Sequence, residues 1–159
     1  PVFFGATIEE NLRKVNPGIS EREFQEILEI SGLQKVLDQL QEGISTEINQ
    51  FGMPLSQGDR VTLALARGLM AMPRILLIDE ALANLDKSTQ ISFFENFSKI
   101  CDLKTIIMAT HDLRSTLQFE QIIVLEKGVV VGQGTHDELL KTCALYQELW
   151  AMEQKLTGT

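Results

Sequence analysis

The chain has 159 residues, of which 44% are hydrophobic and 23% are charged, and its formal net charge is −8. This length allows one domain-sized core, whereas the acidic balance argues against binding to nucleic acid or to an anionic membrane surface. No apolar run approaches the roughly 20 residues that a membrane-spanning helix needs, and no secretory leader is visible.

The first part of the chain, residues 1–72, is predicted to be mostly helical. Ser20 and Glu23 match a capping box, in which a helix-start hydroxyl and a carboxylate three residues later bond each other's backbone N–H groups. An apolar stripe at helical spacing follows before Gly32: Phe24, Ile27, Leu28 and Ile30. A turn-rich stretch, residues 41–54, comes next.

A second helix is predicted to begin at Ser56. Ser56 is a favourable N-cap, Asp59 stands three residues later, and Pro73 is a plausible stop. The unpaired N–H groups and the dipole at such a helix start favour an anion. A capped helix without any ligand explains most matches to this pattern, so both interpretations stay open at this point.

Four apolar residues, Ile75 to Ile78, run directly into the carboxylates Asp79 and Glu80. Such a run is typical of a parallel strand covered on both faces, and ligands in these folds bind beyond the carboxyl ends of the strands. A lone Asp-Glu pair is more often a solvated turn. Here a second apolar strand, 105–110, ends at His111, so we expect a metal and water site at this edge of the sheet.

The rest of the chain alternates between predicted helices and strands. We expect a helix over about 88–100, a short helix after Asp112, strands at 121–126 and 129–133, and two closing helices. Alternation of this kind predicts a parallel sheet. Thr135 and Glu138 match another capping box, within which His136 is expected to face solvent. Cys101 and Cys143 have no metal-ligand spacing and are expected to be reduced, buried thiols.

In this order, the segments resemble the later half of the nucleotide-binding domain of ABC transporters. The matches are Leu55–Asp59 to the LSGGQ signature, Ile75–Asp79 to the Walker B strand, Glu80 to the catalytic carboxylate, Ala83–Asp86 to the D-loop, and His111 to the switch histidine. Each match alone is weak, but their shared order and spacing are specific.

Within the family, the chain is most similar to exporters whose ATPase is fused to membrane helices, including toxin and bacteriocin secretion ATPases. Residues 1–12 resemble the segment after the exporters' Q-loop, and residues 125–140 resemble the exporter tail. Residues 46–52 partly resemble the X-loop, with Gln50 in place of an acidic residue.

The resemblance implies an α/β fold of the P-loop NTPase class. Residues 1–72 would form a helical subdomain that ends in the signature helix, and residues 73–159 would form the C-terminal half of the RecA-like core. The sequence contains no Gly-x-x-x-x-Gly-Lys-Ser/Thr, the Walker A loop whose amides and Lys cradle phosphates. We therefore expect a fragment cut just after the Q-loop, inactive alone, whose uncovered sheet edge favours association.

The resemblance also implies ATP and Mg²⁺ as cofactors. Asp79 would hold Mg²⁺, Glu80 would orient or deprotonate the attacking water, and His111 would contact the γ-phosphate. Residues of the signature and of the D-loop would act across a dimer of nucleotide-binding domains. The signature residues Ser56, Gln57, Gly58 and Asp59 would contact ATP that the second domain holds. The D-loop residues Asn84 and Asp86 would carry the nucleotide state across the interface.

Asp59 stands where the signature has glutamine. A carboxylate about 4 Å from a phosphate oxygen would cost on the order of 4 kcal/mol at an effective dielectric near 20. We therefore expect the Asp59 side chain to face the ribose hydroxyls or to cap the helix. Gln57 replaces a glycine, but φ is negative in a first helical turn, so no strain is expected there.

The implied partners are a second nucleotide-binding domain and a transmembrane domain, which would place the protein at the cytoplasmic face of a membrane. Two alternatives stay open. One is the C-terminal lobe of a DNA-repair or chromosome-maintenance ATPase, disfavoured by the acidic charge and by the absence of heptad repeats. The other is a non-catalytic module that dimerises or regulates a transporter.

Overall fold

A computed structural model describes residues 1–85, 87–96 and 105–157. Backbone contacts divide the chain into two compact units, Pro1–Ala109 and Thr110–Thr159. This boundary differs from the division at residue 72 that the sequence suggests, which stays a prediction. No helix among the described residues is long and apolar enough to cross a membrane.

The first unit contains a short antiparallel ladder and five α-helices among the described residues. A two-residue antiparallel ladder pairs β1, Ala6–Thr7, with β2, Glu47–Ile48. The helices of this unit are α1, Ile8–Arg13; α2, Glu21–Ile30; α3, Leu33–Leu37; α4, Gln57–Met70; and α5, Lys87–Asn96. The predicted helix over about 88–100 is confirmed as far as Asn96, and its remainder lies outside the described residues.

Capping boxes open several of these helices, because each supplies partners for backbone N–H groups that a helix start leaves unpaired. The box at Ser20 and Glu23 is present at the start of α2, as predicted, and Ser56 and Asp59 form one at the start of α4. A further box, not predicted, joins Thr7 to Glu10 in α1.

The core of the first unit forms where α4 packs against α1, α2 and α3. Fully buried side chains from these four helices meet there: Ile8, Leu12, Phe24, Ile27, Leu33, Leu63 and Leu69. The apolar spacing of α2 and α4 accounts for this packing, since each presents one stripe to the core. This core fixes the position of the α4 start.

The strand β3 follows α4 in the chain and comprises Ile75–Asp79. It pairs in parallel with β4, which comprises Thr105–Ala109. The strand positions agree with the sequence, but β3 is not covered on both faces as expected. Leu76 and Ile78 are buried, whereas the opposite face is open and exposes Ile75 by 58%, Leu77 by 72% and, on β4, Ile107 by 57%. We call these three residues the open sheet face.

The second unit contains a hairpin followed by two helices. Its elements are β5, Ile122–Glu126; β6, Val129–Gly134; α6, His136–Thr142; and α7, Ala144–Thr157. The short helix expected after Asp112 is a 3₁₀ helix, Ser115–Gln118. β5 and β6 pair antiparallel, not in parallel, because only Lys127 and Gly128 connect them, both with positive φ, as in a tight hairpin turn.

His136 differs from its expected role as a solvent-facing residue. Its side chain is half-buried, its Nδ1 lies 2.9 Å from the Tyr146 hydroxyl, and its ring meets the Trp150 ring edge-on at a centroid distance of 4.5 Å. The Tyr146 hydroxyl also lies 3.3 Å from the Thr116 hydroxyl, which donates to the carbonyl oxygen of Leu113. These contacts join α6, α7 and the 3₁₀ helix. Sequence reasoning missed them because His136 and Tyr146 lie on different helices.

Candidate functional site

The start of α4 carries the residues matched to the signature. Ser56 is the N-cap, with extended backbone angles, and its hydroxyl oxygen accepts the backbone N–H of Asp59 at 3.2 Å. The Asp59 carboxylate accepts the backbone N–H of Ser56, also at 3.2 Å. Of the two orientations expected for Asp59, the structure has the helix-capping one. Leu55, which is buried, anchors the chain just before the cap.

The surface of this helix start is open to a ligand. Ser56 and Gln57 are exposed, and Gly58 and Asp59 are half-buried. Thr62 closes the first turn by donating its hydroxyl hydrogen to the carbonyl oxygen of Gly58 at 3.2 Å. The Asp59 N–H is used within the cap, so the N–H groups of Gln57 and Gly58 are those that an anion could approach at this helix start.

Arg60, in the first turn of α4, contacts the loop that precedes this helix. The Arg60 guanidinium donates to the carbonyl oxygen of Phe51 at 3.3 Å, and its aliphatic stem packs against Gly52. A Cβ at Gly52 would lie 2.6 Å from Arg60 Cδ, and the φ of Gly52 is +79°. Glycine is therefore needed at Gly52, both for its backbone angle and for the close approach of Arg60.

The end of β3 presents two adjacent carboxylates. Asp79 lies opposite Ala109 in the parallel ladder, and the backbone N–H of Glu80 continues the ladder by donating to the Ala109 carbonyl at 2.9 Å. Both side chains are exposed. The metal and water site expected at this edge stays a prediction.

Glu80 adopts a left-handed backbone conformation, with φ of 51° and ψ of 5°. This conformation costs a non-glycine residue roughly 1–2 kcal/mol. Among the described non-glycine residues, Met72 and Lys127 also have positive φ; Met72 follows the C-cap of α4, and Lys127 lies in the turn between β5 and β6. Glu80 differs because it is the N-cap of a 3₁₀ helix, Ala81–Asn84.

The segment matched to the D-loop is held from the following helix. Gln90 of α5 donates from Nε2 to the carbonyl oxygens of Leu82 at 2.7 Å and Leu85 at 3.1 Å. The backbone of Asn84 lies in the 3₁₀ helix, and Asp86 lies outside the described residues. Sequence reasoning missed Gln90, because a helical glutamine carries no motif of its own.

Asn11 is a second polar residue that sequence reasoning missed. It is fully buried, its Oδ1 accepts the backbone N–H of Phe4 at 2.8 Å, and its Nδ2 donates to the carbonyl oxygens of Phe4 and Thr7. Every polar atom of the amide is therefore paired, which fixes the path of residues 4–7. A polar residue within an otherwise apolar helix face was the available signal.

His111 lies at the start of the second unit and is exposed. The segment around it is ordered by short hydrogen bonds: Thr110 Oγ1 accepts the backbone N–H of Asp112, and Asp112 Oδ1 accepts that of Arg114, both at 3.0 Å. Asp112 therefore shapes the turn before the 3₁₀ helix. The expected proximity of His111 to Asp79 and Glu80 stays a prediction.

Comparisons with known proteins place these features in a family. The chain is 35% identical over 140 residues to a leukotoxin export ATP-binding protein of Aggregatibacter actinomycetemcomitans, covering 88% of this chain and 20% of the relative. It is 35% identical over 153 residues to an alpha-hemolysin translocation ATP-binding protein of Escherichia coli, covering 96% of this chain and 22% of the relative. No family model matches the chain.

A solved structure of a bacterial Atm1-family ABC exporter with ATP bound superimposes with a TM-score of 0.86 at 31% identity, covering 96% of this chain and 27% of that one. Over about 90% of its length the chain is homologous to ABC exporter ATP-binding proteins, and it has the fold of part of their ATPase. It spans between 18% and 26% of the length of the curated relatives it matches.

Proposed function

We propose that this chain is part of an ABC exporter in which ATP binding and hydrolysis drive transport across a membrane. The observation that carries the proposal is the left-handed backbone conformation of Glu80, which directly follows Asp79 at the carboxyl end of a parallel strand. Left-handed non-glycine residues persist only where their surroundings enforce them, and they cluster at active sites. The exporter relatives give the reaction class.

The carboxylates at the end of β3 suit Mg²⁺. The described residues contain no cluster of three or more His, Cys, Asp or Glu side chains that could hold a metal. Mg²⁺ is usually bound by one or two carboxylates together with substrate phosphates, without an all-protein cage. Asp79 would hold it, and bound Mg²⁺ would neutralise charge on the ATP phosphates.

Glu80 would orient or deprotonate the attacking water, since its carboxylate is exposed at the strand end. His111 would contact the γ-phosphate. At the start of α4, the Ser56 hydroxyl and the Gly58 N–H would donate to ATP held by a second nucleotide-binding domain, beside Gln57 and Asp59. Asn84 and Asp86 would carry the nucleotide state across the interface between the two domains.

The partners in this proposal are that second domain and a transmembrane domain, with the ATPase at the cytoplasmic face of the membrane. Since the sequence contains no Walker A loop, we propose that this chain alone does not turn over ATP. The net charge of −8 is the feature that disfavours the rival role on DNA.

The test is Mg·ATP turnover by the intact transporter that contains this chain, with and without Glu80→Gln. We expect at least about a hundredfold loss of turnover, because a general base contributes that much, with ATP binding retained. Glu126→Gln, at the exposed end of β5, is the matched control and should leave turnover unchanged. Near-normal turnover in Glu80→Gln would remove Glu80 from the proposed role.

The chain by itself gives a second test. We expect no Mg·ATP turnover from the 159 residues alone, with or without Glu80→Gln. Turnover that Glu80→Gln abolishes would contradict the proposal that the chain needs a Walker A loop from elsewhere.

A further inference from the structure

The capping box at Ser56 differs from the others in the described structure. In the three boxes closed by glutamate, the helix-start hydroxyl donates its hydrogen to that same carboxylate: Thr7 to Glu10, Ser20 to Glu23, and Thr135 to Glu138. In each, the hydroxyl oxygen also accepts a backbone N–H. These hydroxyls are therefore fully used within the box.

At Ser56 the carboxylate belongs to aspartate, which is one methylene shorter. Asp59 reaches the backbone N–H of Ser56, and Ser56 Oγ accepts the backbone N–H of Asp59. Among the described residues, however, no acceptor takes the hydroxyl hydrogen of Ser56. The hydrogen is thus available at an exposed side chain, while both backbone bonds of the box are kept.

We propose that Asp59 is a positioning residue whose short side chain leaves the Ser56 hydroxyl free to donate to a phosphate oxygen of ATP. This inference rests on the proposed function and adds that the carboxylate side chain at position 59 must be short. A glutamate there would complete the box as in the other three helices and withdraw the hydroxyl from the nucleotide. Asp59 acts only through Ser56.

The test compares kcat/KM for Mg·ATP in the intact transporter among Asp59→Glu, Ser56→Ala and the double variant. Asp59→Glu keeps the charge and the cap, so the helix should remain folded, and a melting curve checks this. We expect kcat/KM to fall about tenfold, as the loss of a hydrogen bond to a charged group would cause. In the Ser56→Ala background, Asp59→Glu should change kcat/KM by less than about twofold, because no hydroxyl is left to withdraw.

Glu23→Asp is the matched control, since it shortens the carboxylate of the box in α2 and should leave kcat/KM unchanged. The proposal is overturned if Asp59→Glu has no effect, or if its effect is the same with and without the Ser56 hydroxyl, which would indicate displaced charge or altered helix stability.

A crystal structure of the Asp59→Glu variant gives a readout that does not depend on ATP hydrolysis. We expect Ser56 Oγ within hydrogen-bond distance of the new carboxylate, and a longer separation would overturn the proposal. If Ser56 Oγ bonds the new carboxylate in this variant but the transporter without substitutions does not hydrolyse ATP, the proposed function is wrong and the local geometry is correct.

Discussion

At the scale of single residues, the conformation of Glu80 connects structure to the proposed chemistry. Its N–H is held by the carbonyl of Ala109, and the next four residues turn at once into a 3₁₀ helix. The chain therefore passes from strand to 3₁₀ helix at Glu80, although a glutamate disfavours the left-handed conformation that this transition uses. Glycine would fit the backbone better but has no carboxylate to offer.

This strain can be measured in the free energy of unfolding. We expect Glu80→Gly to be more stable than Glu80→Ala by about 1 kcal/mol, since only alanine carries a Cβ that disfavours positive φ. Ala151→Gly, at an exposed position in the interior of α7, is the control with the opposite sign, because φ is negative within a helix and glycine should cost about 0.5–1 kcal/mol there. Equal stabilities for the two Glu80 variants in urea titrations would mean that no strain is stored at this residue.

At the scale of helices and strands, the features that the sequence predicts well are local ones. A capping box lies within four consecutive residues, and the strands 75–79 and 122–126 are marked by short apolar runs, so neither depends on distant parts of the chain. Contacts across the chain are different. The hydrogen bonds from Gln90 to residues 82 and 85 and the contact of His136 with Tyr146 depend on how helices and strands pack, and no local sequence pattern encodes this packing.

The open side of β3 has the same origin. Periodicity predicts a strand, but whether both faces are covered depends on what packs there. In the candidate site, the sequence likewise predicts the carboxylates and the helix start but leaves two orientations for Asp59. Only the geometry of the α4 cap distinguishes them.

The capping boxes predict a pH dependence of helix stability. Hydrogen bonds from the side chain and the backbone N–H of Ser20 lower the pKa of Glu23, and hydrogen bonds from the backbone N–H and the side chain of Thr135 lower the pKa of Glu138. A carboxyl group with a lower pKa in the folded state stabilises the fold above its unfolded pKa, near 4.3, and loses this contribution as pH falls through the folded pKa.

We therefore expect Glu23→Gln to lower the free energy of unfolding at pH 7 and to have progressively less effect as pH falls below about 4. Thermal unfolding across this pH range measures the difference. Glu29→Gln, on the same helix but outside the cap, is the control. A destabilisation by Glu23→Gln that stays constant over the whole range would show that the charge of the carboxylate does not matter.

At the scale of the whole molecule, the open sheet face is the main departure from a self-contained core. Ile75, Leu77 and Ile107 are neighbours on one side of the β3–β4 ladder, since Leu77 lies opposite Ile107 in the register. Contiguous exposed apolar surface of this kind marks sites where other protein packs. For the chain studied alone, the available partner is a second copy.

We expect the 159-residue chain to self-associate with rising concentration, as sedimentation velocity would measure. Leu77→Lys should raise the dissociation constant at least about tenfold, because burying a leucine contributes roughly 1.5–3 kcal/mol. Ile91→Lys on α5, where the side chain is 57% exposed, is the matched control and should have little effect. A monomeric chain at all concentrations, or equal effects of the two substitutions, would contradict this assignment of the face.

The hydrogen bonds that join Leu113, Thr116, Tyr146 and His136 have a direction. The Thr116 hydroxyl donates its hydrogen to the Leu113 carbonyl. In the contact between Thr116 and Tyr146, the phenol of Tyr146 must therefore be the donor and the Thr116 oxygen the acceptor. The bond between Tyr146 and His136 must then use a hydrogen on Nδ1 of the imidazole. That hydrogen is present in the Nδ1–H tautomer of neutral histidine and in the imidazolium cation alike. These hydrogen bonds therefore run in one direction, from Nδ1–H of His136 through the two hydroxyls to the Leu113 carbonyl, and the junction of α6 with α7 requires a donor at position 136.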